Sequence, residues 1–197
     1  MKKTRIVIAS SNKNKVKEIS YMLSDLNFDI IPQNFYGIKS IKENRISFVE
    51  NAILKARHAS KITGLPALSD DSGLIIPKMK NEPGIYSARY SKQSINNIDK
   101  LILFLKRNNM NRIYAFYYCA IAFVFYEMDP TPIICIGKME GDILNKKKGL
   151  NGFGYDSCFF LKEYCKTMGE LNTIKKNSIS HRAKAIYQLK RKYKLYK

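Results

Sequence analysis

Short apolar runs alternate with stretches of helical period in the first part of the chain, and two long runs rich in aromatic and β-branched residues follow. Thr4 to Ser10, "TRIVIAS", reads as a buried first strand. "SNKNKVKEISYMLSDL" comes next, with Val16, Ile19, Tyr21, Met22 and Leu23 at helical spacing. "FDII" is a short second strand stopped by Pro32, after which Ile38 to Arg45 has no clear period. "SFVENAILKARHASKITG" predicts a helix: Ser47 and Glu50 make a capping box, Phe48, Ala52, Ala56 and Ala59 line one face, and Gly64 ends it. A strand over Ala67 to Ile76 leads into a loop containing "EPGIYSARYS" and a helix near Ile95 to Lys106 that carries Ile98, Leu101, Ile102 and Leu105. Ile113 to Tyr126 and Thr131 to Ile143 read as two long strands joined by the turn "EMDP". A loop with "KKKGLNGFGYDS", a short strand from Cys158 to Leu161 and a last helix beginning near Ser180 complete the chain. Early alternation of strands and helices with a hairpin in the middle predicts an α/β protein with a mixed sheet.

Composition narrows this picture. A chain of 197 residues that is 45% hydrophobic can bury a core as one domain or as two small lobes sharing a sheet. The apolar run "IVIA" after the opening lysines is too short for a secretory signal. "YAFYYCAIAFVFYEM" falls short of the roughly 20 residues needed to span a bilayer and reads as core sheet. Cys119, Cys135, Cys158 and Cys165 lie far apart without C-x-x-C spacing, and three sit in or beside apolar stretches, which predicts buried free thiols in a reducing cytoplasm, and neither a zinc site nor a disulfide framework. The formal charge of +19 raises nucleic-acid binding. Against it, the wealth of Lys, Asn, Ile, Tyr and Phe matches A- and T-rich codons, and the only dense basic run outside a helix is Lys146 to Lys148.

The candidate chemistry starts at "ALSDDSGL", residues 67 to 74. Successive strand side chains point to opposite faces, so Asp70 and Asp71 cannot share one, and buried carboxylates cost several kcal/mol unless compensated. On this stretch alone a turn over Asp70 to Gly73 is the simpler reading; otherwise one acid meets water, a cation or a ligand. Elsewhere, cations sit at helix starts, where the dipole disfavours them. Lys13, Lys15 and Lys17 crowd the opening of the first helix, and His181 and Arg182 follow the N-cap candidate Ser180 in the last. An anion such as phosphate would account for both, a solvated surface for either one alone. The phosphate loop G-x-x-x-x-G-K-S/T is absent. In "GLNGFGYDSCFF" the glycines at 149, 152 and 154 permit close backbone approach, and Phe153 and Tyr155 offer rings on which a base can stack for about 1 to 3 kcal/mol. Together these features suggest a nucleotide pocket: base against Phe153, phosphates near the lysines, Asp71 holding a metal.

These residues resemble the inosine/xanthosine triphosphate pyrophosphatases. That family hydrolyses noncanonical purine nucleoside triphosphates to the monophosphate and pyrophosphate, which keeps them out of DNA and RNA. "IVIASSNKNKVKEI", "SFVENAILKARHASKITGLPALSDDSGL", "PGIYSARYS", "NGFGYDSCFF" and "SISHRAKA" carry the resemblance in order over almost the whole length. It implies one catalytic domain over residues 1 to 197, an α/β fold of two lobes around a long mixed β-sheet flanked by helices, an active site in the cleft, and a cytoplasmic homodimer. Ser10, Ser11, Asn12, Lys13, Asn14 and Lys15 are similar to the first phosphate-contacting loop. Asp71 is similar to the catalytic aspartate and magnesium ligand, Ser72 to a substrate contact, and Lys55 to a lysine near the triphosphate. Phe153, Gly154, Tyr155 and Asp156 match the base-binding stretch, and Lys176, His181 and Arg182 match later substrate contacts. The chain departs from the pattern at Ser157, where the family usually has Pro, and at Lys175, where an acid usually precedes Lys176. Lys42 and Glu43 stand where two acids are frequent, which leaves Glu43 as the candidate second metal carboxylate.

The expected chemistry is water attack on the α-phosphorus with Mg²⁺ neutralising the triphosphate. Hypoxanthine and xanthine carry a 6-carbonyl where adenine carries an amino donor, so donors from the Phe153 loop, His181 or Arg182 would reject adenine; guanine shares that carbonyl. Two competing readings are a nucleic-acid-binding protein using Lys146 to Lys148 and the tail "KRKYKLYK", and a pyrophosphatase for modified pyrimidines. Neither a stable nucleic-acid partner nor a membrane is expected.

Overall fold

Strands β1 (Thr4–Ile8), β2 (Phe28–Pro32), β3 (Ala67–Ile75), β4 (Arg112–Val124), β5 (Ile133–Leu144), β6 (Phe159–Leu161) and β7 (Lys166–Thr167) form one sheet in the computed structural model, which describes residues 3–91 and 95–196. Their order is β2-β1-β3-β4-β5-β6-β7. β1 pairs in parallel with β2 and β3, whereas β6 pairs antiparallel with β5 and β7, so the sheet is mixed. Among the described residues five α-helices accompany it: α1 (Lys13–Met22), α2 (Phe48–Thr63), α3 (Asn97–Arg107), α4 (Thr173–Ile179) and α5 (His181–Tyr193). The chain divides into two compact units, Met1–Asp71 with Cys119–Gly137 and Arg182–Lys197, and Ser72–Tyr118 with Lys138–His181. No helix among the described residues is long and apolar enough to cross a membrane.

Each unit has its own core. In the first, Ile6, Ile8 and Leu68 of the parallel strands pack with Ile19 of α1, Phe123 of β4 and Ile186 and Leu189 of α5. In the second, Leu101 and Leu105 of α3 pack with Leu74, Ala115, Ile143, Phe159 and Met168. The predicted inward face of α3 is the buried one: Ile98, Leu101, Ile102 and Leu105. On α1 the pattern misleads at Tyr21, which is 57% exposed, and at Glu18, which takes a place on the buried face beside Ile19 and Met22.

Helix α2 is positioned by its ends. Ser47 Oγ accepts from the Glu50 amide at 3.2 Å and donates to Glu50 Oε2 at 2.6 Å, and Gly64 closes the helix in the left-handed region at φ 66°. Phe48, Ala52, Ala56 and Ala59 are buried as their spacing predicts. The small alanines let the helix lie close to the sheet, and Ser69 Oγ of β3 donates to the Ala52 carbonyl. The acid pair does not form a turn: β3 runs straight through Asp70, Asp71 and Gly73. Among the described strands and α-helices, two escaped the sequence pattern, the two-residue β7 and the seven-residue α4, both too short for periodicity to register. Three cysteines, Cys119, Cys135 and Cys158, are buried, but Cys165 is exposed.

Replacing Ser47 with Ala removes both bonds at the start of α2. A loss of about 1 kcal/mol of unfolding free energy is expected in a denaturant titration.

Candidate active site

Strand register explains where the acids lie. Val7 and Ile8 at the end of β1 pair with Ala67 and Leu68 of β3, and the Ala9 amide donates to the Leu68 carbonyl at 2.7 Å. Asp70 and Asp71 therefore stand just beyond the carboxyl end of β1, beside the loop that enters α1. This is the edge at which open α/β sheets bind ligands.

Asp70 is 1% exposed and fully engaged with cations and a thiol. Oδ1 pairs with Lys15 Nζ; Oδ2 accepts from Arg182 Nε at 3.2 Å and from Cys119 Sγ at 2.9 Å. Burial opposes the charge of Asp70, but Arg182 and Lys15 outweigh it and hold the carboxyl well below its ordinary range. Arg182, also 1% exposed, gives Nη1 to Glu18 Oε2. Burial works against the guanidinium as well, but Asp70, Cys119 and Glu18 raise its pKa. Burial and the neighbouring Asp70 push the Cys119 thiol far up, so it remains a donor.

Asp71 meets a different group. Lys55 Nζ from α2 donates to Asp71 Oδ1 at 3.0 Å, to Glu43 Oε1 at 2.7 Å and to the Asp70 carbonyl at 2.8 Å. Burial raises the pKa of Asp71, Lys55 lowers it and Glu43 raises it, and the net shift is upward. Burial would discharge Lys55, but Asp71 and Glu43 keep its pKa raised. Glu43 lies in the segment without regular structure, which Asn51 of α2 ties down through the Arg45 amide at 3.1 Å and carbonyl at 3.3 Å. Asp71 Oδ2 is buried and has no hydrogen-bond partner. An orphaned carboxylate oxygen with a second carboxylate on the same lysine suits a hard cation that takes one or two protein carboxylates and fills its shell with phosphate and water. No group of three His, Cys, Asp or Glu side chains among the described residues forms a closed metal cage.

The loop before α1 supplies its own cap. Asn12 Oδ1 accepts from the Asn14 and Lys15 amides at 3.0 and 3.2 Å, Ser10 Oγ accepts from the Asn12 amide at 3.2 Å, and Ser11 Oγ lies 2.8 Å from Ser40 Oγ. The Asn12 side chain is thus used in capping, Lys13 and Asn14 are exposed, and Lys15 turns inward to Asp70. Ser72, half-buried, follows Asp71 on β3.

The second unit holds the remaining candidates. Asp156 is buried; Oδ2 accepts from Lys176 Nζ at 2.7 Å and from the Phe153 amide at 2.9 Å, and Oδ1 accepts from the Tyr117 hydroxyl at 3.1 Å. Lys176 Nζ also lies 4.3 Å from the Phe153 ring centroid. A Cβ on Gly152, which has φ +78°, would sit 2.1 Å from Asp156 Oδ2, so glycine is required there. Gly154 also has positive φ, at +64°. The buried Tyr155 hydroxyl donates to the Ser87 carbonyl at 3.0 Å. His181 is buried and stacks on Tyr117, with centroids 4.6 Å apart and planes at 13°.

Two expectations for base recognition change with this geometry. The Phe153 amide donates to Asp156, and Arg182 Nε and Nη1 donate to Asp70 and Glu18, so these donors are committed within the protein. Sequence reasoning missed Glu18 and Tyr117, and gave Cys119 only as a buried free thiol. Glu18 had a signal: it lies three residues after Lys15, on the same helix face. Tyr117 and the partner of the Cys119 thiol had none: Tyr117 lies in an apolar strand among other tyrosines, and Asp70 is 49 residues from Cys119.

The fold and the first cluster define an α/β protein with a carboxylate and lysine centre at the edge of a mixed sheet. Comparison with known proteins is specific: a Ham1 family model matches residues 6–192, and the chain belongs to the Ham1 family. A dITP/XTP pyrophosphatase of Legionella pneumophila (strain Lens) is 47% identical over 188 residues, covering 94% of this chain and 96% of that protein. One from Haemophilus influenzae is 47% identical over 193 residues, covering 96% and 99%. Among solved structures, a HAM1 protein from Coxiella burnetii aligns with a TM-score of 0.86 at 43% identity, covering 94% of this chain and 96% of that one.

The two neighbouring acids should respond oppositely to neutralisation in metal-free buffer. Asp70 has a depressed pKa, so its contribution to stability is present above the ordinary carboxylate range and fades as acid protonates it in the folded state. Asp70→Asn at pH 7 leaves Arg182 short of a partner and is expected to cost about 3–5 kcal/mol. Asp71 has a raised pKa, so ionising it costs stability as pH rises through that value. Asp71→Asn should match or exceed the wild-type melting temperature at pH 7, with the advantage vanishing below about pH 4, where both forms are neutral. Thermal melts across pH read both outcomes.

Proposed function

We propose that the chain is a dITP/XTP pyrophosphatase that hydrolyses noncanonical purine nucleoside triphosphates to monophosphate and pyrophosphate. The observation that carries the reading is the Asp71–Lys55–Glu43 cluster with its orphaned Asp71 oxygen, in a chain 47% identical to proteins of that name. Asp71 and Glu43 are the residues that would hold Mg²⁺, which supplies charge neutralisation of the phosphates and activation of water when bound. Lys55 orients the Asp71 carboxylate through Oδ1, and its charge favours the triphosphate. In this reading Asp71 also accepts the proton of the attacking water. The oxygen of that water bonds to the α-phosphorus, the bond from α-phosphorus to the bridging oxygen breaks, and pyrophosphate leaves with the electron pair.

Ser10, Ser11, Asn12, Lys13, Asn14, Lys15 and Ser72 belong to the phosphate side of this reading, with Arg182 acting through Asp70. Phe153, Gly154, Tyr155, Asp156, Lys176 and His181 belong to the base side. There the Phe153 ring stacks on the purine and His181 supplies a donor to its 6-carbonyl, which leaves adenine with donor facing donor. The protein is expected to work in the cytoplasm as a homodimer without a stable nucleic-acid partner. Sedimentation at micromolar concentration tests the dimer.

The decisive assay is product analysis with purified protein and Mg²⁺ on dITP, XTP, ATP and GTP. Pyrophosphate released mainly from dITP and XTP is expected; orthophosphate as product, or hydrolysis of none, would overturn the reading. Asp71→Asn should lower kcat by about 10²–10⁴-fold.

A further inference from the structure

The group around Asp156 contains one residue that the sequence reading assigns no role. Tyr117 of β4 is buried, and it touches two candidate base-reading groups at once. Its hydroxyl donates to Asp156 Oδ1 at 3.1 Å, and its ring lies 4.6 Å from the His181 imidazole with the planes 13° apart. Phe159 packs on the same ring at 4.5 Å, which limits its movement. The other oxygen of Asp156 holds both the Phe153 amide, at 2.9 Å, and Lys176 Nζ, at 2.7 Å. A carboxylate turns about one bond, so the donor on Oδ1 sets where Oδ2 points.

We infer that Tyr117 is a positioning residue for base recognition, its hydroxyl fixing the Asp156 carboxylate and with it the Phe153 loop, its ring fixing the plane of His181. This rests on the reading of Phe153, Asp156 and His181 as the base side of the site. Burial, followed by the neighbouring Asp156, pushes the phenol pKa far above its ordinary value, so the hydroxyl remains a donor throughout the working pH range. The direction of the bond is therefore fixed: Tyr117 donates and Asp156 accepts.

Tyr117→Phe keeps the ring and deletes the donor; Tyr117→Leu deletes both. Hydrogen exchange, proton NMR of the two histidines and steady-state kinetics read the consequences. In Tyr117→Phe the Phe153 amide is expected to exchange about tenfold faster, as loss of one buried hydrogen bond implies. KM for dITP should rise about tenfold with kcat within about twofold, and Ki for ribose 5-triphosphate, which has the phosphates but no base, should stay within about twofold. The His181 ring protons should keep their ring-current shift in Tyr117→Phe and lose it in Tyr117→Leu. A merely structural role would weaken dITP and ribose 5-triphosphate alike, and that result overturns the inference. So does a Tyr117→Phe protein with wild-type KM and wild-type exchange at Phe153. If wild type releases no pyrophosphate from dITP or XTP, the functional reading fails by itself, and the exchange and NMR measurements still decide whether Tyr117 positions the loop and the imidazole.

Discussion

The buried pair between Asp70 and Arg182 is the constraint around which the first unit is arranged. Its two oxygens and two nitrogens draw in Lys15 and Glu18 from α1, Cys119 from β4 and the opening of α5. Buried ion pairs add little net stability compared with apolar packing, but breaking one by removing a partner is expensive. The value of this one is directional. With Asp70 committed to one face of β3, strand alternation obliges Asp71 to face the other way, toward Lys55 and Glu43.

Two adjacent carboxylates thus acquire opposite characters from their surroundings. Asp70 is held ionised by a guanidinium and an ammonium, and acts as structure. Asp71 is buried beside Lys55, which it shares with a second acid, and its pKa rises. Pairs of titratable groups pushed apart in this way are a feature of sites that do acid and base work. A residue whose charge costs folding energy is retained where the charge has a use.

Much of this was legible in the sequence, and the gaps have physical causes. The capped helix bearing Lys55, the first strand and helix, the amphipathic α3 and the hairpin strands follow from periodicity and capping, which are local. Opposite facing of Asp70 and Asp71 also followed, from strand geometry alone. The turn over Asp70 to Gly73 did not, because turn-forming residue types were outweighed where β3 continues as a strand beside β4. The direction of Arg182 was hidden for another reason: its partners Glu18 and Asp70 lie 164 and 112 residues away, and no local pattern encodes such contacts. Tyr117 was invisible because a tyrosine in an apolar strand reads as core, and here it is core and polar donor at once.

Charge explains why the phosphate side of the proposed reading includes a divalent cation. Within the paired groups of the first cluster, Asp70, Asp71, Glu18 and Glu43 outnumber Lys15, Lys55 and Arg182 by one. A centre that is anionic by one charge does not attract a polyanion, and protonating Asp71 would cancel only that one charge. A divalent cation held by Asp71 and Glu43 would reverse the sign and would use the oxygen that the protein leaves unpaired. The Asp156 group is built on the opposite principle. Its carboxylate is matched by one buried lysine and surrounded by rings and neutral donors, an environment that suits an uncharged heterocycle and offers no net attraction for phosphate.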